Sequence, residues 1–94
     1  VNFVTKYQKA YNATPDQFAA DGYDCVYAIA AALEAGKATT DMDAAALNEL
    51  LVGQFTSMTF DGLTGNGMTW DETGAVSKSP KGMVIKNGAY VGLD

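Results

Sequence analysis

The chain holds no histidine and no arginine, and its only cysteine is Cys25. Without His, neither a zinc site nor a Cys–His nucleophilic dyad can be assembled. Without Arg, the planar fork that grips phosphate or carboxylate at two points is absent. Positive charge is scarce altogether: six Lys face eleven Asp and Glu, for a net charge of −5. That balance argues against nucleic acid and against an anionic membrane surface as partners. A lone cysteine excludes an internal disulfide, and its apolar neighbours predict a buried, inert thiol. The longest apolar run, Cys25–Leu33, falls well short of the roughly 18 residues that span a bilayer. No basic-then-apolar leader opens the chain either, and Val1 begins inside a helical pattern, as an excised or processed fragment would.

Catalytic patterns are equally sparse. Asp71 and Glu72 are adjacent, but neighbours on extended chain point opposite ways, whereas acid–base work needs two groups converging on one atom. The glycines between Gly62 and Gly74 form neither GxGxxG nor a P-loop, and calcium-loop spacing is missing. The expectation is a non-enzyme without cofactor or metal. Hydrophobic content of 48 % is that of a folded chain, so disorder is excluded.

What is present is a long central helix, spanning Thr14 to Gly36. Thr14 is placed to cap it, with Pro15 in the first helical position, Asp16 against the positive end of the dipole and Gln17 reaching back to the cap. Gly36 suits a left-handed stop. The length corresponds to about 30 Å. Ala19, Gly22, Tyr23, Val26, Ile29, Ala30 and Leu33 share one face, which the spacing marks as the buried one. From Cys25 to Leu33, however, no side chain is charged on any face. A helix apolar all round is normally covered on several sides, and 94 residues offer little to cover it with. The mismatch points to partner surface lying elsewhere.

Around that helix the chain divides at residue 53. Val1–Tyr11 reads as an amphipathic helix with Phe3, Val4, Tyr7 and Tyr11 on one stripe. A third helix, capped by Thr40 or Asp41 with Asp43 in its first turn, buries Ala46, Leu47, Leu50 and Leu51 and ends at Gly53. Residues 54–94 change to short strands: Met58 and Phe60 alternate with polar residues, as do Met68 and Trp70. Asp71–Gly74 is a turn. Asn87-Gly88 marks a type I′ hairpin, which is marginal alone and is expected to dock on another element. The fold class is α/β, with about three helices followed by short strands and a C-terminal hairpin.

Phe18-Ala19-Ala20 followed by Gly22-Tyr23-Asp24, then Gly62-x-Thr64-Gly65 and Trp70-Asp71-x-x-Gly74, resemble in order and spacing the C-terminal region of type I periplasmic solute-binding proteins. The branched-chain amino-acid binding components of bacterial ABC importers are the most similar in pattern, and the likeness covers nearly the whole chain. It implies one part of a two-lobed protein that closes on a small solute and delivers it to a membrane permease. Its place would be the periplasmic or extracellular side of a bacterial membrane, lipid-anchored in some members. Residues 1–53 would then be the helical part of one lobe and 54–94 the hinge-crossing strands and hairpin.

Four positions carry the implied ligand contacts. Phe18 matches an aromatic position against the ligand, although a core role at a helix start is the plain alternative. Ala19 and Ala20 leave room beside it. Asp21 stands where relatives often have an apolar or small residue, and would favour a cationic or polar ligand unless it is simply a solvated residue. Tyr23 reads as core with a bonded hydroxyl, and Asp24 as structural. Asn66-Gly67 replaces a usual β-branched strand start and argues against a continuous strand there. Two other readings remain open: a ligand-sensing regulatory domain of the same fold, and a small stand-alone interaction module. The uncovered helix also implies that the chain by itself self-associates.

Overall fold

The computed structural model describes residues 2–93. Three helices, α1 (Asn2–Tyr11), α2 (Gln17–Ala35) and α3 (Ala44–Phe55), precede four short strands. The strands are β1 (Phe60–Gly62), β2 (Gly65–Met68), β3 (Met83–Lys86) and β4 (Ala89–Gly92), paired as two separate antiparallel sheets, β1–β2 and β3–β4. The fold is therefore mixed α/β, with three helices and two small sheets.

The helix ends differ from the sequence reading in instructive ways. Asp16, not Thr14, caps α2: its backbone is extended (φ −96°) and its carboxylate accepts the Ala19 amide at 2.9 Å. The Thr14 hydroxyl instead accepts from the Gln8 side-chain Nε2 at 3.4 Å. A carboxylate both bonds the free N–H and meets the helix dipole, so it outcompetes a hydroxyl two residues earlier. For the same reason Asp43, not Thr40 or Asp41, caps α3, accepting the Ala46 amide at 2.8 Å. Nor does α3 stop at Gly53. It runs to Phe55, where the Thr56 and Ser57 hydroxyls bond the carbonyls of Val52 and Gly53.

At the far end of α2, Gly36 is right-handed (φ −82°), and Lys37 takes the left-handed turn (φ 56°). The Ala38 amide closes on the Leu33 carbonyl at 2.9 Å and the Lys37 amide on Glu34 at 3.1 Å, a Schellman pattern. Glycine at 36 answers a different need. A Cβ there would lie 2.5 Å from Leu50 Cδ2, where α3 crosses.

The buried face of α2 is also not the one that periodicity selects. Asp24, Ala28 and Ala32 are its buried residues, against α3 and the β1–β2 turn, whereas Val26 is 68 % exposed and Ile29 44 %. An all-apolar helix gives a weak directional signal, so packing of small residues, with Ala32 wholly buried, decides the orientation. Cys25, a quarter-turn from that face, is exposed, contrary to the buried thiol expected.

The core is small. Ala28, Ala32 and Met68 are its only buried apolar residues among those described, and no large side chain is fully enclosed. The surface measures 7326 Å², against about 5,200 Å² for a compact chain of this mass. The radius of gyration, 16.3 Å, likewise exceeds the roughly 12 Å of a compact chain this long.

Asn66 and Gly67 do form strand: β2 runs through both, with Gly67 at φ 60°, in register Phe60 to Met68 and Gly62 to Gly65 across a bulge. Glycine's freedom at 67 admits the irregular step that a β-branched residue would resist. The Asn87-Gly88 hairpin is as expected, both residues having positive φ (52° and 77°). Its expected docking is not seen, for only Val84 on the two strands is even half-buried.

Candidate functional site

Two of the motif strings meet at one carboxylate. Asp24, on the inner face of α2 and 7 % exposed, accepts the amides of Leu63 (2.9 Å) and Thr64 (2.8 Å) and the Thr64 hydroxyl (2.7 Å). Burial pushes its carboxyl pKa up, but the bonds from Thr64 and Leu63, aided by the charge of Lys78, outweigh that and hold it below the usual range. The β1–β2 turn is thereby pinned to the helix. The reading of Asp24 as structural agrees with this geometry.

Beside the clasp lies an open groove of about 670 Å³ between α2, α3 and the β1–β2 hairpin. Met68, Phe60, Phe55 and Trp70 supply apolar wall, with the last two rings edge-to-face at 4.9 Å and 78°. Asp21 stands at its mouth, half-exposed, 3.6 Å from Lys78 Nζ. The alternation of Met58, Phe60, Met68 and Trp70 was the only sequence signal for this wall. It did not say that Phe55 and Ile29 would join it.

The four proposed ligand contacts do not converge. Consecutive helical residues step by about 100°, so positions 18 to 21 face every side of α2. Phe18 is 71 % exposed and lines neither this groove nor the shallower hollow towards α1. Ala19 faces a shallower hollow towards α1, Ala20 is half-buried, and only Asp21 reaches the groove.

On the α1 side, rings form a row that the sequence only partly announced. Phe3 lies 4.8 Å from Tyr23, and Tyr23 lies 4.8 Å from Tyr27. A hydrogen bond with Tyr27, followed by desolvation, raises the Tyr23 pKa. Tyr23, read as a core residue from the sequence, is half-buried in this row.

Elsewhere the acids serve turns. Asp71 Oδ1 accepts the Thr73 amide (2.8 Å) and hydroxyl (2.6 Å) and the Ala75 amide (3.0 Å), which lowers its pKa. Among the described residues no group of three or more His, Cys, Asp or Glu could hold a metal ion. No helix among them is long and apolar enough to cross a membrane. What the arrangement offers is apolar area with one exposed ion pair, which suits non-covalent contact. Compared with known proteins, the chain matches no family model, no curated protein and no solved structure.

Proposed function

We propose that the chain is the C-terminal part of an extracytoplasmic solute-binding protein of a bacterial ABC importer, with an amino acid as the solute. In this reading it is a non-enzymatic receptor without cofactor, periplasmic or on the outer face of the membrane, that captures the solute by cleft closure and presents it to the permease. The two-lobed type I fold is the finer architecture to which the three helices and two sheets would belong.

One observation carries the proposal. Of the residues that periodicity marks for burial on α2, Gly22, Val26, Ile29 and Ala30 are exposed, and the chain exposes about 2,100 Å² more than a compact protein of its mass. A lobe completed by further chain would cover that face. Support also comes from the clasp, because Gly62-x-Thr64-Gly65 and Gly22-Tyr23-Asp24, the strings behind the resemblance, are joined through Asp24. Phe18, exposed on the first turn of α2, is free to meet a ligand held mainly by other segments.

The test is thermal melting of the chain extended by the coding sequence that precedes it, screened against the amino acids. A true solute at about a hundred times its Kd adds roughly 2.7 kcal/mol and raises Tm by several degrees, and Phe18→Ala should shrink that rise. If no amino acid or related small solute raises Tm, the proposal fails. The 94-residue chain alone should show no tight amino-acid binding by calorimetry.

A further inference from the structure

Two asparagines of this chain precede glycine: Asn66 before Gly67 and Asn87 before Gly88. Such a pair is able to modify itself. The glycine nitrogen, once it has lost its proton, attacks the carbonyl carbon of the asparagine side chain. A five-membered cyclic imide forms and ammonia leaves. Water then opens the ring, giving aspartate or isoaspartate, in which the main chain runs through the side-chain carbon. Water is the only co-reactant. Glycine is the most favourable following residue because no Cβ shields its nitrogen.

Exposure does not separate the two pairs, since all four residues are exposed. Hydrogen bonding does. The Gly67 amide donates to Asp61 Oδ1 at 2.6 Å. That bond ties the nitrogen in place and sets a carboxylate against the negative charge that proton loss would create. Asn66 and Gly67 also lie within β2, which pairs with β1, and the turn between those strands is clasped to Asp24. The Gly88 amide, by contrast, has no acceptor among the described residues, and a Cβ there would meet nothing within 4 Å. Its surroundings favour proton loss: residues 75–93 contain Lys78, Lys81 and Lys86 and no Asp or Glu. A closed turn fixes the Asn87 backbone, so ring closure waits on local opening. The β3–β4 pair, bonded only to itself, is the unit that opens most readily.

We propose that Asn87 converts itself to aspartate and isoaspartate in the folded chain, while Asp61 and the strand around it hold Asn66 against the same reaction. Isoaspartate adds a main-chain carbon to a two-residue turn, so the pairing of Lys86 with Ala89 is lost and the hairpin stays open. Either product adds one negative charge. The inference goes beyond the solute-binding reading and does not depend on it.

The test is peptide mapping by mass spectrometry of the 94-residue chain aged in neutral to mildly alkaline buffer. Conversion at Asn87 should outpace that at Asn66 at least tenfold, the margin between a unit that opens alone and one that opens with the core. The rate should rise with hydroxide concentration, and an isoaspartyl methyltransferase should label the aged chain at position 87. In urea the two sites should convert within about threefold of each other, because only the fold separates them. Asp61→Ala should speed Asn66 several-fold and leave Asn87 unchanged. Gly88→Ala should slow Asn87 at least tenfold even though it loosens the hairpin, because the new Cβ shields the nitrogen. Circular dichroism should show both variants folded. Equal rates at the two sites in the folded chain overturn the proposal, as does an Asn87 that stays intact while the chain in urea converts. So does a difference between the sites that persists in urea, or an Asn66 rate that Asp61→Ala does not change.

Discussion

Gly62 and Asp24 are fitted to one another: a Cβ at position 62 would lie 2.7 Å from each Asp24 carboxylate oxygen and 2.7 Å from Phe60 Cε2. The turn can donate the Leu63 and Thr64 amides only because residue 62 has no side chain. Gly62→Ala must therefore push the turn off the helix, at a cost of about 1–3 kcal/mol. Asp24→Asn leaves one donor facing an NH2 group and should cost about 2–3 kcal/mol. Urea denaturation of the single and double variants checks both values. Because both changes break one clasp, the double variant should lose clearly less than the sum, and strict additivity would show that the two residues act separately.

The same clasp sets an acid dependence. Asp24 has its folded-state pKa lowered, so its contribution is complete above the ordinary carboxylate pKa of about 4 and is lost as pH falls through the folded value. Protonated Asp resembles Asn, so the stability gap between the wild type and Asp24→Asn should be widest near neutrality and close towards pH 2. Urea midpoints measured from about pH 2 to 7 test this. A gap that stays constant over that range would mean that the charge on Asp24 contributes nothing. Asp41 and Asp71 are also lowered, by bonds from Thr39 and Thr73 respectively, so the variant keeps part of the acid sensitivity.

Helix capping separates Asp16 from Thr14. Asp16→Ala and Asp43→Ala remove the acceptors for the Ala19 and Ala46 amides, and each should cost about 1 kcal/mol. Thr14→Ala touches only an exposed 3.4 Å contact with Gln8 and should change stability by less than about 0.5 kcal/mol. Equal losses at positions 14 and 16 would restore Thr14 as a capping residue.

Local chemistry was readable from the sequence, whereas facing was not. Asn87-Gly88 and Asp71–Gly74 announce their turns because positive φ and Asx bonding belong to the residues themselves. The three helices follow from pattern and punctuation in the same way. Cap positions were misplaced because Thr14, Asp16, Thr40, Asp41 and Asp43 crowd the boundaries, and several side chains competed for each role. The side of α2 that is buried depends on Leu50 passing over Gly36 and on the turn at Leu63 reaching Asp24. Both are contacts between distant parts of the chain, and no local period encodes them. The groove was hidden for the same reason, since Phe55 and Trp70 meet only after α3 and the β1–β2 hairpin have docked.

The C-terminal hairpin should be the least stable part of the described chain. Its strands bond only to each other, Ile85 (67 %) and Tyr90 (77 %) stand in solvent, and a two-stranded hairpin is marginal in water. Its backbone amides should therefore exchange with solvent through local opening, with protection at least tenfold below that of α2 around Ala32. Gly88→Ala forces a side chain onto φ 77°, a strain of roughly 1–2 kcal/mol. Because that strain falls on a unit that already opens alone, it should lower hairpin protection further while leaving the global melting temperature nearly unchanged. Hydrogen exchange followed residue by residue distinguishes the cases. Hairpin amides as protected as those of α2, or a Gly88→Ala variant that lowers protection everywhere equally, would mean that β3 and β4 unfold together with the helices.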